Sequence, residues 1–413
     1  MQTVQLFTLS SGMKCAFLPT VSPVSYCSLS TLAGTSFEPE GLGGLAHFCE
    51  HMLFKGTEKR SSYHINNRLE RLGGEINAYT TKEELVLYAT VLKEDTPKAM
   101  ELMADLAFHS TVPLKELIKE RQVVLDEIRS YKDSPMDLIY DNFEERLFAG
   151  TSMATPILGT SRTLRKINSE GMLDYLHRRF RPENMAFALV GHLTLRRAKE
   201  LAEKFFGQSA LPSAVLAPCS EAPLQAAPCA PAFNVTEKRN TYQLHCLLGT
   251  RAYDLHHKGR VPLVLLMNIL GGPASNARLN MLLREKCGLV YTVEATYAPY
   301  AQTGFAGIYF GTDKPKLDQC LELVDKALAE YSQKALTGLQ LDRAKKQLIG
   351  QLAVSADNPE AQCLSMGKSL LSFGQVPAHV QTVAMVNAVT AQEVLQAANE
   401  NWEPSRRSTL IFI

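Results

Sequence analysis

The two halves of this chain echo each other, and that limits its folds more than any local pattern does. Asn67-Arg68-Leu69-Glu70-Arg71-Leu72-Gly73-Gly74 is answered by Asn276-Ala277-Arg278-Leu279-Asn280-Met281-Leu282-Leu283. Lys93-Glu94-Asp95-Thr96-Pro97-Lys98 is answered by Gly311-Thr312-Asp313-Lys314-Pro315-Lys316. Glu120-Arg121 is answered by Asp342-Arg343, each pair inside a long helical pattern. Self-similarity in one order along the chain suggests a duplicated domain, and 413 residues suit two domains. Between the echoes, Gly207 to Pro231 is rich in Ala, Ser and Pro, with prolines at 212, 218, 223, 228 and 231. Prolines at that density remove backbone donors and hold a chain extended, which reads as a linker. The expected division is 1–207, a linker over 208–232, and 233–413. Each half opens on strand-like residues, Val24 to Leu32 and Tyr242 to Leu248, followed by a helix, more strand and long helices.

The halves differ in chemistry. The first contains His47-Phe48-Cys49-Glu50-His51. Histidines four apart on a helix share one face. Two neutral imidazoles there make half of a tetrahedral zinc site, and Glu50 beside them can act on a water. The order is that of the zinc-protease motif His-Glu-x-x-His, inverted. Leu45, Phe48, Met52 and Leu53 recur at helical spacing and are expected in the core. Cys49 points off the histidine face. The matching stretch of the second half, Leu263 to Gly272, has neither histidine nor glutamate.

Composition narrows the rest. A hydrophobic content of 46% with 21% charged residues is that of a globular protein. A net charge of +1 argues against a nucleic-acid surface. The longest apolar run, Val261 to Leu270, is about half of the ~20 residues a membrane span needs, and Pro262 and Asn268 interrupt it. No signal peptide is visible at the start. Nine cysteines without Cys-x-x-Cys pairs read as buried thiols of a cytoplasmic protein.

A catalytic zinc takes three protein ligands and leaves one position open. The helical stretch Leu114 to Tyr131 can deliver the third. Leu114, Leu117, Ile118, Val124 and Ile128 form its expected buried stripe, while Glu120 and Glu127 share a face two turns apart. On helix pattern alone, these glutamates also suit a solvated surface.

His47-x-x-Glu50-His51, followed by Glu127, resembles the pitrilysin/insulinase family of zinc peptidases, which includes the mitochondrial processing peptidase. The resemblance implies an α+β fold of two homologous domains, each a mostly antiparallel sheet with helices packed on it. It implies one zinc per chain on His47, His51 and Glu127, with Glu50 as general base. Glu120 matches a position that supports a metal-bound histidine. Gly73-Gly74-Glu75-Ile76-Asn77-Ala78-Tyr79-Thr80 is similar to a family segment in which an edge strand pairs with the substrate, so Ile76, Asn77, Ala78 and Tyr79 are expected to meet a peptide. In the second half, Arg284 and Tyr291 match residues that hold the substrate and the reacting carbonyl. The implied activity is a zinc metalloendopeptidase, and manganese or cobalt could also support the chemistry. Larger family members enclose substrate within four homologous domains. Two domains therefore imply a homodimer, or a pairing with a related inactive chain, acting on peptides or unfolded segments, with Arg284 and Tyr291 working in cis or in trans. A non-catalytic scaffold and a hydrolase of some non-peptide substrate are the competing readings. No nucleic-acid or membrane partner is expected.

Overall fold

The computed structural model describes residues 3–207, 230–239 and 241–413. Most of the expected linker, 208–229, lies outside the described residues.

The first sheet holds β1 (Gln5–Thr8), β2 (Lys14–Pro19), β3 (Val24–Thr31), β4 (Glu75–Thr80), β5 (Leu85–Leu92) and β6 (Met185–Gly191). Their order is β1-β2-β6-β3-β5-β4. The second sheet holds β7 (Asn234–Glu237), β8 (Leu244–Ala252), β9 (Val290–Pro299), β10 (Gly304–Thr312) and β11 (Ser408–Phe412), in the order β7-β11-β8-β10-β9. In the first sheet only β2 and β6 run parallel. In the second only β7 and β11 do. Laid over one another, β2-β6-β3-β5-β4 and β7-β11-β8-β10-β9 carry the same directions in the same places. The duplication suggested by the echoes is therefore a duplication of topology. The α+β class stands, with one edge strand, β4 or β9, closing each copy. The second opening strand is displaced from its expected place. It starts at Leu244, and Tyr242 is fully exposed.

Each sheet needs cover on both faces, because its central strands are apolar throughout. All seven residues of β6 are buried, as are all nine of β10. Strands buried on both sides lose the in-out alternation of a half-solvated sheet. One face of the first sheet carries the main core, built on Phe17, Leu29, Leu87 and Phe187 with the helices of the first half. The other face is closed by a helix from far down the chain, Pro359–Phe373. Its Cys363, Met366 and Leu370 pack on Ala16, Ala186, Ala188 and Val190. Gly367 lets this helix come close, since a Cβ there would lie 2.5 Å from Ser30 Oγ. The second sheet takes the reciprocal loan. Helix Pro135–Leu147 sets Ile139, Phe143 and Leu147 against Leu247, Phe305, Leu410 and Phe412. The compact units are accordingly drawn from 1–130, 155–222 and 354–378, and from 131–154, 223–353 and 379–413.

Of the seven described cysteines, all are free thiols and six are buried; Cys287 is exposed. Among the described residues, no helix is long and apolar enough to cross a membrane.

Candidate metal centre

The motif helix runs Leu45–Leu53. Its start is fixed twice. Gly44 has φ +90°, and a Cβ there would lie 2.7 Å from Leu158 O, so glycine suits this corner. Glu38 then caps the helix, its carboxylate accepting from the Gly44 N–H at 3.1 Å and the Ala46 N–H at 2.8 Å. Burial outweighs these bonds and pushes the Glu38 pKa up to about 8, so the carboxyl caps the helix by its acceptor oxygens rather than by a charge. Phe48, Met52 and Leu53 are wholly buried, as expected, each worth about 2 kcal/mol. The outer side of the helix is thereby left to His47, Glu50 and His51.

The third element is the helix Leu114–Tyr131. Its buried positions are Leu117, Glu120, Val124 and Ile128. Two members of the expected stripe are corrected: Leu114 is 64% exposed and Ile118 59%. The inward face turns toward Glu120 instead, a carboxylate where hydropathy alone would place an apolar side chain.

The two imidazole rings sit 4.6 Å apart, centre to centre. Glu127 lies across from both. Its Oε1 is 3.7 Å from His47 Nε2, and its Oε2 is 3.5 Å from His51 Nε2. These gaps are too long for good hydrogen bonds. They match donors sharing one ion, since bonds of about 2.0–2.2 Å in a tetrahedron leave donors about 3.4 Å apart. Among the described residues, His47, His51 and Glu127 form the one group of three His, Cys, Asp or Glu residues with donor atoms mutually within 4.8 Å. Two imidazole nitrogens and a carboxylate oxygen are the donor set zinc accepts, so the residues fit the ion.

Electrostatics prepare the same atoms. Burial, then the neighbouring His51, lower the His47 pKa to about 4 against the pull of Glu127. Its nitrogen lone pair is free at neutral pH. Burial works against a charge on His51 too, but Glu127 and then Glu120 outweigh it and raise its pKa. His51 in turn holds the Glu127 carboxyl below the ordinary value. In the metal-free protein the proton to be displaced on loading is therefore the one on His51. Zinc affinity is expected to be flat at high pH and to weaken about tenfold per unit once pH falls below the His51 titration. Chelator-competition titrations from about pH 5.5 to about pH 8.5 measure this. A pH-independent affinity across that range would show that no imidazole is being deprotonated.

The remaining expected residues fall as follows. Glu120 Oε1 lies 2.9 Å from His51 Nδ1. Glu50 Oε2 accepts from Thr80 Oγ1 at 2.5 Å, and burial raises the Glu50 pKa, which suits a base working near neutrality. Thr80 ends β4, which among the described residues pairs with β5 alone. Along β4, Ile76 and Ala78 pack on the core, Asn77 and Glu75 are exposed, and Tyr79 lies 6.1 Å from Tyr88, ring to ring. In the other unit, Arg284 sits in a π-helical turn, Asn280–Lys286, with its Nη2 on Glu285 Oε1 at 2.8 Å. Tyr291 is 66% exposed near the start of β9. Sequence reasoning missed Glu38 and Lys55, and it quoted Thr80 in the edge-strand segment without its bond to Glu50. For Lys55 a signal was present, because it follows His51 by four residues and so belongs to the same face.

Residues 19–161 match the family described as Insulinase (Peptidase family M16), and residues 166–348 match Peptidase M16 inactive domain. A Bacillus subtilis protein named "Uncharacterized zinc protease YmxG" is 33% identical over 365 residues, spanning 87% of this chain and 86% of that one. The chain belongs to peptidase family M16. A second relative, an "Uncharacterized zinc protease" of Rickettsia bellii, is 28% identical over 394 residues, 95% of this chain and 93% of that one. Two crystal structures share the fold. A protease from Helicobacter pylori superposes with a TM-score of 0.90 at 18% identity, covering 100% of this chain and 99% of its own. A peptidase M16 inactive domain from Pseudomonas fluorescens gives 0.90 at 21% identity, covering 99% and 97%. The M16 match called inactive falls on the part of this chain that lacks the His-x-x-Glu-His motif.

Proposed function

We propose that this chain is a zinc metalloendopeptidase, with His47, His51 and Glu127 holding the ion and Glu50 as the catalytic base. The observation that carries the reading is the His47–His51–Glu127 triangle, with Glu50 on the same helix. A zinc ion held there supplies Lewis-acid polarisation of a carbonyl and brings the pKa of a bound water to about 7. Glu50 takes the proton of the attacking water and returns it to the leaving amine. Thr80 keeps the Glu50 carboxylate turned toward β4 while it does so. The edge of β4 away from β5, unpaired among the described residues, offers main-chain donors and acceptors to an extended peptide and so reads its backbone rather than its side chains. Arg284 donates to substrate carbonyls, and the Tyr291 phenol donates to the oxyanion of the tetrahedral intermediate. Peptides or unfolded segments as substrates, enclosed by a homodimer, complete the proposal and rest on the family resemblance; sedimentation of the purified chain reports its oligomeric state.

Cleavage of a quenched peptide library tests the reading. Turnover is expected with the zinc-loaded protein, is expected to vanish with a strong chelator, and is expected to return with one equivalent of zinc. Zinc-loaded protein that cleaves no peptide would leave the scaffold reading standing.

A further inference from the structure

The two imidazoles are held in different ways. Among the described residues His47 Nδ1 is buried with no hydrogen-bond partner. His51 Nδ1 lies 2.9 Å from Glu120 Oε1. The other oxygen of the same carboxylate, Oε2, lies 2.7 Å from Lys55 Nζ. The Glu120 side chain is 10% exposed and that of Lys55 24%. Of the two imidazoles, His51 is the one held by a polar line on its Nδ1 side: Lys55, Glu120, His51.

We propose that Lys55 is a positioning residue of the metal centre, acting on His51 through Glu120. This rests on the metal reading above. A carboxylate so buried needs its charge balanced and both oxygens engaged. His51 engages one and Lys55 the other. With two fixed partners the carboxylate plane cannot turn, so the ring it holds cannot turn either. His51 Nε2 then stays aimed at the Glu127 side of the site. Outer partners of this kind set the tautomer and orientation of a ligating histidine. The sequence delivers Lys55 to this place by simple means. The turn continues past the motif helix, with the Lys55 N–H on Met52 O at 3.1 Å, and four residues bring the ammonium round to the face of His51. A cation is also favoured at a helix C-terminus.

The bland alternative is a salt bridge that merely ties the turn after the motif helix to the helix carrying Glu120. The two roles differ in what they move. If Lys55 is only a tie, its loss lowers the melting temperature of the metal-free protein and leaves zinc affinity alone. If it positions His51, its loss weakens zinc and changes the cobalt spectrum, whatever the melting temperature does.

The test is zinc affinity of the full chain, by competition with a chromophoric chelator, together with the visible spectrum of the cobalt-substituted protein. Lys55→Met is expected to weaken zinc about tenfold and to shift the cobalt bands, two changes that the loss of a mere tie would not produce. Lys55→Arg, which keeps the charge, is expected to come back to within about threefold. In a Glu120→Gln background, Lys55→Met is expected to add nothing further. An unchanged zinc dissociation constant in Lys55→Met overturns the proposal, as does a full additional loss in the Glu120→Gln background. Lys55→Gln gives the same comparison should Lys55→Met not accumulate folded. Wild-type chain that takes up no zinc overturns the metal reading itself; tight wild-type binding with an indifferent Lys55 variant overturns this inference alone.

Discussion

Glu50→Gln is expected to bind zinc as the parent does and to lose turnover about a thousandfold or more. The amide occupies the same volume and its oxygen still accepts from Thr80 Oγ1, so the local structure has no reason to change. What disappears is the acceptor for the water's proton. Since Glu50 is not among the three converging donors, metal content and rate separate cleanly in this variant. Zinc stoichiometry by elemental analysis and kcat on a quenched peptide measure the two. A fully loaded Glu50→Gln protein that still turns over at a tenth of the parental rate or better would remove Glu50 from the role of base.

Glu127→Ala has the complementary signature. It deletes one of three donors, and the loss of zinc affinity is expected to exceed the tenfold to hundredfold that an outer partner costs. Activity falls with occupancy and recovers in part at high added zinc. The fold is expected to tolerate the change, because the Glu127 side chain is 42% exposed and its contacts are with the two histidines. Thermal melting of the metal-free variant checks that point. Stoichiometric zinc in dialysed Glu127→Ala would strike this residue from the ligand set.

Much of the fold was legible because its signals are local. The helix Leu114–Tyr131 shows its limits through apolar spacing, and the motif helix through four core residues in register. The pairing of the two halves was legible only in outline: each copy passes from a strand through a short turn into a helix, but the turns Lys93–Asp95 and Lys314–Lys316 fall three residues out of the register in which the sequence echo aligns them. The site was legible where residue type and spacing carry the chemistry, as with two histidines one turn apart. It was not legible where a polar side chain finds its partner only after folding. Thr80 and Glu50 are thirty residues apart, and Lys55 meets Glu120 across 65. The error at Leu114 and Ile118 has the same root. Hydropathy puts leucine and isoleucine inside, but Glu120 takes an inward position against His51 and Lys55, and Leu114 and Ile118 face outward. Nothing in a local pattern could announce that helix Pro359–Phe373 covers the first sheet.

That last arrangement bears on how the gene can be divided. A fragment ending in the proline-rich stretch would leave β2, β3 and β6 with one oily side open to water, and would strand the apolar side of Pro135–Leu147 as well. Each half, expressed by itself, is expected to lack the helix that covers one side of its sheet, so neither makes a self-sufficient module.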